Sequence, residues 1–106
     1  MEVTDSDFEE KVIEKSRKTV VVVDFWASWC VPCNTLAPII SRAVDSYKGK
    51  VVLAKVNVDE NPAVSNEYNI DAIPSIKIFK NGKVVAEFTG VVPEDIIRKH
   101  IEKALR

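Results

Sequence analysis

The sequence predicts an α/β fold in which helices cover both faces of a central mixed β-sheet. Residues 19–26 form a nearly all-apolar β-branched run, typical of a buried central strand, and residues 51–58 form a second β-branched run. Segments with helical periodicity separate the strands, which implies right-handed parallel crossovers. An Asn-Gly hairpin signal should add antiparallel strands at one edge of the sheet.

The amino-terminal segment should contain the first helix. Ser6 and Glu9 have the spacing of a capping box, so we expect the helix to open there. A short strand over residues 2–4 would precede it. The apolar face of the helix would be formed by Phe8, Val12 and Ile13.

A longer helix should follow the first buried strand. Apolar residues recur at helical spacing from Leu36 to Tyr47, and Gly49 is a suitable terminator. Pro32 lies near the start of this helix, where its missing N–H does no harm. Pro38 lies inside the helix and should kink it.

The second half of the chain continues the alternation of helices and strands. A short helix over residues 62–68 is expected, because a proline suits its first position. Residues 75–80 and 83–89 flank the Asn-Gly dipeptide and should form the hairpin. The last helix should begin at Pro93, since acidic residues fill its first turn and basic residues its later turns, as the helix dipole favours.

Composition restricts the classes of function. A chain of 106 residues predicts a single domain, residues 1–106, with a core that needs no metal or disulfide for stability. The 15 basic and 16 acidic side chains give a net charge of −1, so no attraction to nucleic acid or anionic membrane is expected. No secretory signal or bilayer-spanning run is present, and we expect a cytoplasmic monomer.

Cys30 and Cys33 are the only cysteines of the chain. A disulfide closing so short a loop gives about 2 kcal/mol at most, so stability is a poor reason for the pair. Between a buried strand and a helix, Cys30 falls at the helix amino terminus, where the dipole and free N–H groups lower the pKa of a thiol. Cys33 lies about one turn further on, within reach of a mixed disulfide at Cys30. This arrangement favours redox chemistry.

The cysteine pair is also compatible with two roles that involve no redox chemistry. It could be half of a zinc site, although zinc takes four ligands and the only other soft candidate is His100. It could also be an inert buried pair.

The sequence around the cysteines resembles the active-site strand and helix of the thioredoxin family. The resemblance is carried by residues 23–33, VDFWASWCVPC, and by the Ala-Pro-Ile of residues 37–39. Further matching segments are residues 54–59, 73–75 and 79–82 and Gly90. The resemblance implies a thioredoxin fold, with a central mixed sheet of four or five strands flanked by four helices.

The resemblance also implies a reaction. Cys30 would be the exposed attacking thiolate and Cys33 the buried resolving thiol, and together they would reduce disulfides in client proteins. A thioredoxin reductase, drawing on NADPH or ferredoxin, would restore the dithiol. The redox-active Cys30–Cys33 disulfide would be the only redox group, with no bound cofactor or metal.

Asp24 lies inside the first apolar strand, where burial would raise the pKa of its carboxyl group. It could instead face solvent at the strand end or cap a turn. The resemblance places it beneath the cysteine pair, where it would assist proton transfer to or from the resolving thiol. Lys55 would be its partner, although a surface lysine with a buried stem is an equal possibility.

Ile73 and Pro74 predict a turn before a strand, with Ile73 held extended by the following proline. The resemblance implies that this proline is cis, faces the cysteine pair and leaves the preceding backbone free to pair with an extended substrate. An apolar docking surface would surround the reactive sulfur. Its expected members are Trp29, Val31, Pro32, Ile73, Pro74, Gly90, Val91 and Val92.

The chain departs from the family at Val31, where glycine is usual, and at Asn34 and Thr35. Residues between the cysteines influence the reduction potential, which is about −270 mV for a thioredoxin and about −180 mV for an isomerase. Val31 therefore leaves the reaction type unchanged and opens the question of how reducing the pair is. An isomerase or oxidase domain, and a binding module in which thiol chemistry is incidental, are the alternative functions.

Overall fold

The computed structural model describes residues 1–106 and contains one mixed four-stranded sheet. Its strands are β1 (Val20–Trp26), β2 (Val51–Asn57), β3 (Ser75–Lys80) and β4 (Lys83–Thr89). They lie in the order β2-β1-β3-β4, with β1 parallel to β2 and antiparallel to β3, and β3 antiparallel to β4. The predicted α/β class and mixed sheet are confirmed.

Four helical segments accompany the sheet. They are an N-terminal helical segment made of a π-helical part (Glu9–Glu14) and a 3-10 part (Lys15–Arg17), then α1 (Val31–Asp45), α2 (Pro62–Glu67) and α3 (Glu94–Leu105). Pro32 and Pro62 lie in the first turns of α1 and α2, and Pro38 lies inside α1, as predicted. None of these helices is both long enough and apolar enough to cross a membrane.

The first helix does not begin with the predicted capping box at Ser6. The side chain that closes this turn is Asp7, whose carboxylate accepts a hydrogen bond from the N–H of Thr4 at 2.7 Å. The Ser6 hydroxyl bonds the Thr4 hydroxyl instead, and no side chain caps the helix. Thr4 and Asp7 have the same three-residue spacing as Ser6 and Glu9, so the bond that was expected from Glu9 to the Ser6 N–H has its counterpart two positions earlier, in the turn before the helix.

The connection from β2 to β3 was expected to be a parallel crossover, and that expectation is wrong. Both β2 and β3 pair with β1. Since β2 is parallel to β1 and β3 is antiparallel to β1, β3 runs opposite to β2. The chain therefore enters β3 at the same end of the sheet at which it leaves β2. The helix α2 takes up only six of the residues 58–74 that join the two strands.

The expected strand over residues 2–4 is reduced to one bridge. Glu2 pairs with Lys55 in parallel orientation beside β2. The N–H of Val3 donates to the carbonyl of Lys55, and the N–H of Lys55 donates to the carbonyl of Met1, both at 2.8 Å. These contacts cover part of the β2 edge.

Side chains of β1 alternate between two apolar clusters on opposite faces of the sheet. Val21, Val23 and Phe25 pack toward the N-terminal helical segment. Val20 and Val22 pack against the cluster that contains residues of α1 and α3. By the same alternation Asp24 faces α1, the helix that carries the cysteines.

Candidate active site

The two cysteines form a disulfide at the point where the chain leaves the sheet and enters α1. Cys30 is the N-cap residue of α1 and has an extended backbone, while Cys33 lies in the first turn. Their Cα atoms are 5.3 Å apart, and the N–H of Cys33 donates to the Cys30 sulfur at 3.2 Å. A backbone N–H and the positive end of the helix dipole therefore act on Cys30, and both favour a thiolate there.

The expected contrast between an exposed Cys30 and a buried Cys33 is wrong for the oxidised protein. Cys30 is 4% exposed and Cys33 is 3% exposed. Both pack with Ala27 in a small apolar cluster, against which Ile73 and Trp26 also lie. The two cysteines thus differ in their position on the helix and not in their overall exposure.

Asp24 is buried in β1, toward the end that leads to the cysteines, with 1% of its surface exposed. Neither carboxylate oxygen has a hydrogen-bond partner. Loss of hydration raises the pKa of this carboxyl to about 6, while the charge of Lys55 acts to lower the pKa and that of Glu2 to raise it. The predicted burial of Asp24 is confirmed, and its pKa lies close to physiological pH.

Lys55 lies directly opposite Asp24 in the β1–β2 pairing, on the same face of the sheet. The two side chains form no ion pair. The Lys55 ammonium lies 4.8 Å from the centroid of the Trp26 ring, where the aromatic face attracts a cation. The Trp26 indole N–H is buried without a partner. Two buried polar groups on this face therefore lack hydrogen bonds.

The peptide bond between Ile73 and Pro74 is cis, as the resemblance implied. The carbonyl of Pro74 accepts a hydrogen bond from the N–H of Gly90 at 2.9 Å, which joins the loops on either side of the β3–β4 hairpin. The Ile73 side chain packs against the disulfide, and no hydrogen bond within the chain uses its backbone N–H or carbonyl. The Ile73 backbone is thus available beside the reactive group.

Three of the apolar side chains predicted to dock a client are exposed, and two of them, Trp29 and Val31, are the chain neighbours of Cys30. Trp29 is 67% exposed and Val31 is 72% exposed, Val91 is also exposed, and all three are members of the predicted docking surface. Pro32 is exposed at the start of α1. Val92 differs from the prediction because its side chain packs against the core cluster between α1 and α3.

Asp59 is a residue of this region that sequence reasoning did not single out. Its carboxylate accepts a hydrogen bond from the Trp29 indole N–H at 2.8 Å and so fixes the ring. Asp59 follows the carboxyl end of β2, beside the end of β1 that leads to the cysteines. An indole N–H usually has a hydrogen-bond acceptor, so an acidic residue at this strand end could have been predicted from the sequence to bind Trp29.

The zinc alternative has no support from side-chain placement. The structure contains no group of three or more His, Cys, Asp or Glu residues that could hold a metal ion. His100, the other soft candidate ligand, stacks on the ring of Phe88 with the centroids 5.1 Å apart. Its imidazole is therefore engaged with β4.

The family model and the similar proteins that match this chain all belong to one family. The family model named Thioredoxin matches residues 1–103. A protein named Thioredoxin from Chlorobaculum thiosulfatiphilum is 44% identical over 102 residues, which cover 96% of this chain and 93% of that protein. Thioredoxin 1 from a Nostoc species is 42% identical over 104 residues, covering 98% and 95%. Thioredoxin M-type, chloroplastic, from Spinacia oleracea is 41% identical over 104 residues, covering 98% and 56%.

The family match covers nearly the whole chain, and the Cys-x-x-Cys pair is linked as a disulfide at the start of α1. The redox group is the Cys30–Cys33 disulfide itself, and the activity is protein-disulfide reduction. The chain belongs to the thioredoxin family and is a thiol–disulfide oxidoreductase.

Proposed function

We propose that the protein reduces client disulfides in two exchange steps with fixed roles for its cysteines. The Cys30 thiolate attacks one sulfur of the client disulfide, forms a mixed disulfide and releases the other client sulfur as a thiolate, which takes up a proton. The Cys33 thiolate then attacks the Cys30 sulfur and releases the second client thiolate. The client gains two electrons, and the protein becomes the Cys30–Cys33 disulfide.

The observation that carries these roles is the position of Cys30 at the N-cap of α1. Its sulfur accepts the N–H of Cys33 and lies at the positive end of the helix dipole. These interactions stabilise a thiolate on Cys30 and so favour Cys30 as the attacking group of the first step. Cys33, inside the first turn, lacks the same position.

We propose that Asp24 is the proton acceptor for Cys33 and that Lys55 limits the rise in the pKa of Asp24. Asp24 faces α1 from the centre of the sheet, and its unpartnered carboxylate has no competing hydrogen bond. A pKa of about 6 leaves it mostly ionised at neutral pH, yet able to take up a proton. The Lys55 charge keeps the pKa of Asp24 from rising further.

The client is proposed to bind as an extended segment beside Ile73. The Ile73 backbone N–H and carbonyl have no partners in the chain, so they can pair with a client backbone in the manner of an added strand. Trp29, Val31 and Val91 supply exposed apolar surface for this contact. Gly90, bonded to Pro74, and Pro32 complete the proposed docking surface.

A thioredoxin reductase is the proposed source of electrons, and disulfide-containing proteins are the proposed clients, with the protein acting as a cytoplasmic monomer. Both cysteines lie in one small cluster next to exposed Trp29 and Val31. This surface is accessible to a protein partner of either kind. Reductase and client would therefore compete for the same surface.

The test follows insulin reduction with dithiothreitol as electron donor, across pH 5 to 9. Cys30→Ser should abolish catalysis, and Cys33→Ser should accumulate a mixed disulfide, because the second step is lost. Asp24→Asn should slow turnover at pH 7 on the order of tenfold, since general base catalysis is removed. Glu10→Gln, an exposed acid on the N-terminal helical segment, is the matched control.

Two outcomes would contradict the proposed roles. Wild-type turnover in Asp24→Asn at every pH would remove Asp24 from the reaction. Full biological function of a Cys30→Ser, Cys33→Ser double variant in a cell that requires the protein would favour the binding-module alternative.

A further inference from the structure

Three charged side chains form a row across the sheet on the face that packs against α1. Glu2 pairs with Lys55 in the parallel bridge, and Lys55 pairs with Asp24 between β2 and β1. Residues in register on neighbouring strands point to the same face of a sheet. From the exposed edge to the buried centre, the row is therefore a carboxylate, an ammonium and a second carboxylate.

The backbone holds Glu2 at the end of this row. Hydrogen bonds to Lys55 flank it on both sides, from the Met1 carbonyl and the Val3 N–H, each 2.8 Å long. The amino group of Met1 adds a bond of 2.9 Å to the carbonyl of Leu53. Val3 is 1% exposed and is packed on the opposite face of the sheet, which directs the Glu2 side chain to the α1 face.

The ammonium of Lys55 is bound to neither carboxylate. It lies over the Trp26 ring and forms no ion pair with Asp24 or Glu2. Glu2 and Asp24 thus have one cation between them that forms an ion pair with neither. The repulsion between the two carboxylates is therefore not cancelled by an ion pair.

Few other groups can act on the charge of Asp24. From β3, Asp24 faces Ile76, which carries no charge. From α1, the cysteines are joined as a disulfide and do not titrate in the oxidised protein. Lys55 and Glu2 are the charged groups that act on the pKa of Asp24 from β2 and the N-terminal segment.

We propose that Glu2 is a positioning residue that acts on the Asp24 carboxylate from the edge of the sheet, by charge repulsion across Lys55. This inference rests on the proposed function of Asp24 as the proton acceptor for its consequence in catalysis. In that case Glu2 sets the pH range over which the second exchange step is fast.

The test measures the titration of the Asp24 carboxyl carbon by NMR in the oxidised protein. Glu2→Gln should lower the midpoint on the order of half a pH unit, because two strand spacings separate the acids and solvent screens the edge. Glu2→Asp keeps the charge and should restore a midpoint close to wild type. Glu10→Gln makes the same change in net charge at a distant exposed site and should leave the midpoint unchanged.

The pH profile of insulin reduction is the second readout. If Asp24 is the proton acceptor, the acidic limb of this pH profile should move to lower pH in Glu2→Gln. The shift should equal the shift of the NMR midpoint. An unchanged Asp24 midpoint in Glu2→Gln, or an equal shift in Glu10→Gln, would overturn the inference. A shifted midpoint together with wild-type turnover in Asp24→Asn would support the inference and overturn the proposed role of Asp24.

Discussion

Buried polar groups near the two ends of β1 differ in their hydrogen bonding. Near its start, Ser16 is 2% exposed, and its hydroxyl donates to the carbonyl of Ile13 at 2.6 Å and accepts from the N–H of Gly82 at 2.8 Å. Near its end, Asp24 is 1% exposed with both oxygens unpartnered. The Ser16 hydroxyl connects the N-terminal helical segment to the β3–β4 turn, whereas the Asp24 carboxylate forms no hydrogen bond.

This difference in hydrogen bonding indicates that one end of β1 contributes to stability and the other to reactivity. A buried polar group with all its partners stabilises a fold, and one without partners destabilises it. The end with Ser16 follows the first pattern. The end with Asp24 carries a cost in stability, and the same lack of partners keeps its pKa near neutral. The comparison predicts that substitutions at the two ends should change different properties.

The largest expected effect is on stability at Asp24. Its pKa rises from 3.8 to about 6 on folding, because burial disfavours the charged form. Since the folded state holds this proton more tightly than the unfolded state, raising the pH through this range favours unfolding. Two pKa units correspond to about 3 kcal/mol. Asp24→Asn should therefore gain about 3 kcal/mol relative to wild type between pH 3 and pH 7.

Urea unfolding of the oxidised proteins at several pH values checks this prediction. The stability gap should widen as the pH rises and become constant above about pH 7, since Asp24 is then ionised in both states. A gap that does not depend on pH would show that Asp24 titrates alike in folded and unfolded protein, and the contrast between the two ends would be lost.

The next effect is expected at the other end of β1. Ser16→Ala leaves the N–H of Gly82 and the carbonyl of Ile13 without their partner, which should cost about 1 to 3 kcal/mol. Turnover of insulin should remain at the wild-type rate. Ser41→Ala is the control, because Ser41 is only half-buried and makes no side-chain hydrogen bond. An activity loss in Ser16→Ala with unchanged stability would contradict the conclusion that Ser16 contributes to stability and not to reactivity.

The smallest effect is expected at Val31. Val31→Thr keeps the branched shape and replaces exposed apolar surface with a hydroxyl, so KM for a protein client should rise about threefold with kcat unchanged. Val85→Thr, at an exposed position of β4, should leave KM unchanged. An equal rise in both variants would mean that the Val31 surface has no special part in docking.

The hairpin and the helix starts were predictable because their signals are local. Asn81 and Gly82 both have positive φ, at 54° and 81°, as the Asn-Gly dipeptide predicted. The predicted strand bounds on either side of them match β3 and β4. Pro62 likewise is the first residue of α2, a position that suits proline, and Pro93 is the N-cap residue directly before α3.

The direction of β3 and the surroundings of the site were not predictable in this way. Whether β3 runs parallel to β2 depends on the end of the sheet at which the connection enters β3, which periodicity does not fix. The exposure of Cys30 depends on Ile73, a residue distant in sequence. The position of Lys55 over Trp26 and the bond from Trp29 to Asp59 also join separate elements. Strand composition predicted that Asp24 is buried, and only the structure shows that its carboxylate has no partner.

The reduction potential of the Cys30–Cys33 pair, equilibrated against glutathione, tests the assignment as a disulfide reductase most directly. A reductase should have a potential below the cytosolic glutathione poise of about −220 to −260 mV, close to the −270 mV or so of a thioredoxin. A value near −180 mV or higher would contradict the account. It would show that Val31 and its surroundings have made the pair an isomerase or an oxidant.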